Sequence, residues 1–141
     1  MSDPFELDRF VEAQDAGGTY GRALDELRHG HKRSHWMWFV FPQVAGLGRS
    51  ATAQQFAVSG RDEAVAYLAH GVLGPRLREC AAAVAAAEAS SAEQIFGGID
   101  AVKLHSSMTL FHRAAPDEPL FAQVLDGYFG GAADDATDAR L

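Results

Sequence analysis

Glycine, proline and helix-capping residues interrupt this chain about every ten to fifteen residues, and the apolar side chains between them recur at helical spacing. That combination restricts the fold to short helices packed on one another. Gly17-Gly18, Gly30, Gly46-Leu-Gly48, Gly60, Gly74-Pro75, Gly97-Gly98 and Gly130-Gly131 each punctuate a segment. Tyr20, Ala23, Leu24 and Leu27 form one apolar stripe; Ala101, Leu104, Met108 and Phe111 form another.

The start signals are equally regular. Asp3-Pro4 reads as an N-cap followed by proline at the first helical position, with Thr19 opening the next helix. Ser34 is placed to cap a short aromatic helix through Phe39, although Trp36 to Phe41 also has the composition of a strand. Ser50 caps a helix through Val58, and further helices are expected over 62–70, 75–89 and 118–129. Ser91-Ala-Glu-Gln94 reads as a capping box closed by Gly97-Gly98, and Asp100 as the cap of the helix after it. The expected architecture is all-α: one compact domain of about eight helices over residues 1–131, followed by a polar, loosely held tail over 132–141.

The chain's 141 residues suit one domain with a normal core. No apolar run approaches the ~20 residues of a membrane span, and the acidic N-terminus does not read as a secretory signal. One cysteine, Cys80, excludes an internal disulfide and fits a reducing compartment, so a cytoplasmic protein is expected. A net charge of −7 argues against tracking a nucleic-acid backbone.

The charge is unevenly spread. From Arg28 to Arg61 there is no Asp or Glu, while Arg28, Lys32, Arg33, Arg49 and Arg61 fall inside that window. Such a segment can concentrate an anion or can simply be a solvated basic face. It also holds both tryptophans, Trp36 and Trp38, beside Phe39 and Phe41. Large aromatics there serve as core, as a stacking platform for a flat ring, or as an interface. Gln43 stands apart, because an amide among aromatics needs a partner.

His29, His31 and His35 do not make a convincing metal site, since Gly30 and Ser34 break the register and no Cys or acid lies among them to complete the shell. No cofactor fingerprint is present, and no cofactor is expected. Gly46-Leu-Gly48-Arg49-Ser50 offers backbone N–H groups and a cation, which is also ordinary loop chemistry. Cys80, in an alanine-rich helix, reads as a buried small residue. Lys103, Ser106 and Ser107 share one helical turn, either as a water-facing edge or as an anion site.

The stretch Lys32-Arg-Ser-His-Trp-Met-Trp-Phe-Val-Phe-Pro-Gln43, with Gly46-Leu-Gly48 and Ser50, resembles the core signature of the DUF1810 family of small bacterial proteins. Arg9-Phe10, Ala13-Gln14, Tyr67-Leu68, His70, Leu73-Gly-Pro-Arg-Leu77, Lys103-Leu104 and Ser106 to Phe111 extend the resemblance over nearly the whole chain. It implies an all-helical, Rv1873-like fold and no established activity. The label "calpastatin" attached to some members does not suit this chain, because that inhibitor is repetitive and disordered. The motif order is also distantly similar to the YbiA/NADAR group, linked to ADP-ribose and nucleotide-derived substrates.

The expectation is a pocket for a small anionic, ring-containing ligand of nucleotide or ADP-ribose type, with hydrolysis as a further step. Trp36 or Trp38 would stack on the ring. Lys32, Arg49, Arg76 and Lys103 would hold phosphate, with Ser34, Ser50 and Ser106 beside them. His35, Gln43 and Lys103 are the candidates for catalysis. The alternative is a non-catalytic interaction module using the same tryptophans.

Overall fold

A computed structural model describes residues 3–141; Met1 and Ser2, the first positions of the expected domain, lie outside the described residues. The fold is compact and all-α. Its helices are α1 (Asp8–Asp15), α2 (Thr19–Arg28), α3 (Met37–Val40), α4 (Ala51–Gln55), α5 (Arg61–Ala69), α6 (Leu73–Ala86), α7 (Ala92–Ala114), α8 (Pro119–Phe129) and α9 (Asp135–Asp138). A 3-10 turn, Ala16–Gly18, links α1 to α2. Among the described residues no helix is long and apolar enough to cross a membrane.

α7 is the central element and packs against α5, α8 and α9, while α6 packs against α2, α5 and α8. The inward stripe of α7, Ala101, Leu104, Met108 and Phe111, is fully covered. It meets Tyr67 of α5 and Phe121 of α8 through ring contacts at 5.3 and 6.0 Å. Burying such side chains stabilises by about 1.5–3 kcal/mol each, which is what orders helices too short to persist alone.

Several boundaries follow local chemistry. The Ser50 hydroxyl accepts from Ala53 N, and the Ser91 hydroxyl from Gln94 N. Gly130 closes α8 in the left-handed region at φ 62°. Others depart from expectation. Asp3 does accept backbone N–H bonds, from Leu7 and Asp8, but they hold a turn, and α1 begins at Asp8 rather than Pro4. Ser34 does not cap α3, because its hydroxyl is bonded to Glu26. α4 ends at Gln55, since Val58 pairs with Val44 in an isolated parallel bridge. Gly97 does break α7 into two segments, with non-helical φ 79° and ψ 171°, but the second segment starts before Asp100, which lies inside it instead of capping it.

The tail also differs from the loose segment expected. Asp134 caps α9 by accepting from Thr137 N and Thr137 Oγ1, and Thr137 is fully buried. Ser106 donates to Asp134, Thr109 accepts from Asp134 N, and Arg113 grips Asp138 through two bonds of 2.9 and 3.0 Å. These contacts join the tail to α7. Polar composition suggests looseness only when its polar groups have no partners.

Candidate functional site

The acid-free segment gains its acids from elsewhere in the fold. Glu26, near the end of α2, is buried, and its carboxylate takes four donors from the following loop. Oε1 accepts from Arg33 N at 2.7 Å, Ser34 N at 3.1 Å and Trp36 Nε1 at 3.0 Å; Oε2 accepts from Ser34 Oγ at 2.6 Å. Burial by itself pushes this carboxyl up, but the bonds from Ser34, Arg33 and Trp36 outweigh it and hold the pKa at about 2. Glu26 therefore stays ionised and fixes the course of the loop after α2.

Asp100 supplies the second charge. Its Oδ2 pairs with Lys32 Nζ at 3.0 Å, and its Oδ1 lies 3.8 Å from Lys103 Nζ. Lys32 is nearly covered; it also donates to the Ser34 carbonyl and lies over the Trp36 ring at 5.1 Å. Trp36 itself is wholly buried, against Phe41 and Phe96. Lys32, Ser34 and Trp36 thus spend their polar groups on internal partners rather than on a ligand.

The remaining candidates separate. Trp38 is half-buried and lies under the Lys103 ammonium, 4.9 Å from the ring centroid. Trp38, Gln43 and Lys103 line one narrow recess, together with the apolar Phe41, Val44 and Phe56 and with Gly48. Inside, the walls leave only about 10 Å³ for water, so the recess is closed in this conformation. Arg49, exposed, follows Gly48 at the rim. Ser50 is used as the α4 cap.

Three expected residues lie elsewhere. Arg76 pairs with Asp15 at 2.9 Å, donates to Gln14 and covers the Tyr20 ring, all at the α1–α2 junction. Ser106 donates to the Val102 carbonyl and to Asp134 of the tail. His35 is exposed and outside the recess. Among the described residues no group of three His, Cys, Asp or Glu is arranged to hold a metal ion.

Sequence reasoning missed Glu26 and misread Asp100 as a cap. The Asp100–Lys103 spacing of three residues on a helix was a signal for the second, since such residues are neighbours on one face. No local pattern marked Glu26, whose partners follow a reversal of the chain at Gly30.

The recess is an apolar slot with a few polar tips. Among the described residues, no hydrogen bond engages the Lys103 ammonium, the Gln43 amide or the Trp38 indole N–H. Two lysines share the Asp100 carboxylate, and Lys32 holds the short contact. Lys103, held only by the longer contact to that shared carboxylate, therefore brings partly compensated positive charge to the slot.

Comparison with known proteins agrees with this architecture. The chain is similar to the conserved hypothetical protein Rv1873 from Mycobacterium tuberculosis, whose crystal structure superimposes with a TM-score of 0.95 at 50% identity over 99% of this chain and 98% of that one. No curated protein matches it. The family model described as "Protein of unknown function (DUF1810)" matches residues 4–141, and the chain belongs to that family.

Proposed function

We propose that this protein binds a small anionic ligand with a flat ring, of nucleotide or ADP-ribose type, at the Trp38–Gln43–Lys103 recess. The observation that carries this is the set of three unbonded polar groups on the residues lining one apolar slot. Lys103 would receive the anion, Trp38 the ring and Gln43 a polar ring edge, with Arg49 adding charge at the rim. Entry requires Lys103 to leave the indole, which an incoming phosphate promotes by replacing a cation–π contact worth ~0.5–2 kcal/mol with a charge-assisted hydrogen bond.

Among the described residues lining the recess, Lys103 carries the one charged side chain. That supports binding over hydrolysis, for which an acid and a base are ordinarily paired. The burial of Trp36 and the partial cover of Trp38 count against a tryptophan-based protein interface. The reading suits a cytoplasmic protein, in keeping with the buried free thiol of Cys80.

The test is thermal denaturation with ADP-ribose, NAD and nucleotides, followed by calorimetric titration of any hit. A ligand at ten times its Kd adds ~1.4 kcal/mol of stability, a rise of several degrees in Tm for a domain of this size. No shift with any of them at millimolar concentration sinks the proposal, as does undiminished binding by Lys103→Ala.

A further inference from the structure

The two sides of the recess are tied together by the C-terminal tail. One side is α7, which carries Lys103. The other is the loop of residues 44–49, which includes Gly48. The tail is fastened to α7 through Asp134, Thr137 and the Arg113–Asp138 pair. Beyond α9, Arg140 then reaches the loop. Gly46 has φ +96°, and a Cβ added there would overlap the Arg140 guanidinium, lying 2.7 Å from its Cζ. The guanidinium therefore rests directly on the Gly46 backbone, which suits a planar group. On the other flank, a Cβ at Gly48 would lie 2.5 Å from the Ala53 Cβ, so the loop is held between α4 and the tail.

Arg140 is exposed and, among the described residues, forms no ion pair or hydrogen bond through its side chain. Such a contact is easily released, unlike the anchored part of the tail before it. The recess, meanwhile, is too narrow for any ligand larger than water, so something must move for it to be filled.

We propose that the C-terminal tail is a strap across the recess. Arg140 holds the Gly46–Arg49 loop in the closed position, and its release lets the loop swing from α7 and admits the ligand. Residues 134–138 remain docked and keep the strap in reach for reclosure. The device rests on reading this recess as the binding site, but its motion can be measured without any ligand.

Acrylamide quenching of tryptophan fluorescence provides that measurement on the full chain. Trp36 is wholly buried, so quenching in the folded protein reports Trp38 at the recess. Arg140→Ala is expected to raise the quenching constant by at least about twofold, because the open population grows. Gly46→Ala, which displaces the guanidinium from the other side, is expected to do the same, and the double variant no more than either alone. Should Gly46→Ala fail to fold because of its left-handed backbone, deletion of residues 140–141 replaces the cycle and is expected to raise quenching by the same factor as Arg140→Ala, an unchanged constant overturning the strap. Unchanged quenching in Arg140→Ala, or increments that simply add in the double variant, overturns the strap. Failure of the wild-type protein to bind any ligand would refute the function proposed above while leaving the quenching result intact.

Discussion

Replacing Glu26 by glutamine tests the account of how the loop after α2 is held. Glutamine keeps the shape and can retain its carbonyl toward Arg33 N, Ser34 N and Trp36 Nε1, with the amide placed against Ser34 Oγ. What it loses is charge. Hydrogen bonds to an ionised acceptor are worth ~1.5–3 kcal/mol and neutral ones ~0.5–1.5, a difference of ~1–1.5 per bond; four bonds sharing one charge add only in part, so neutralising this acceptor costs about 2–3 kcal/mol. The pKa provides a separate estimate. A fall from 4.5 to about 2 corresponds to ~3 kcal/mol of stability at neutral pH.

The sign follows from the direction of the shift. The folded carboxyl has the lower pKa, so its contribution is complete above about pH 5 and is lost as pH falls from 4.5 toward 2. Glu26→Gln does not titrate there. Urea denaturation of both proteins at pH 7, 5, 4 and 3 should show a gap of about 2–3 kcal/mol at neutral pH that narrows steadily on acidification. A gap below ~0.5 kcal/mol at pH 7, or one that is the same at pH 3 and pH 7, would refute the reasoning.

Three other outcomes are expected. Asp100→Asn leaves the nearly buried Lys32 ammonium without its carboxylate and should cost about 3 kcal/mol in a denaturant titration, more than removing an exposed ion pair such as Arg28–Glu79. Trp36→Phe should destabilise by about 1–2 kcal/mol, through the lost indole bond to Glu26, without affecting ligand affinity, whereas Trp38→Ala should abolish binding in calorimetry while the protein still folds. The Cys80 thiol is buried, and burial pushes its pKa up to about 12, so a thiol-reactive disulfide reagent should label it at pH 8 only as fast as the protein unfolds.

Much of the fold was legible in the chain. Caps at Ser50 and Ser91 and the left-handed stop at Gly130 involve groups within a few residues of one another, so their sequence patterns are sufficient. The site was less legible. The absence of acids from Arg28 to Arg61 suggested a basic segment awaiting an anion. Folding brought both Glu26 and Asp100 to its first part, over residues 32–36, and both meet their partners across a turn or a helix packing. The tryptophans divided for the same reason: Trp36 fell between Phe41 and Phe96, Trp38 at a surface recess beside Lys103.

Local hydrogen bonding and helical periodicity, written in the sequence itself, determined that this protein is a set of short helices and where most of them stop. Only the tertiary structure decided which charges are spent. Lys32 is neutralised by Asp100, Lys103 keeps only a longer contact to the same carboxylate while lying over Trp38, and Arg140 lies on Gly46. An ion pair depends on distance in space, and that distance is set by how α7 and the tail pack rather than by spacing along the chain.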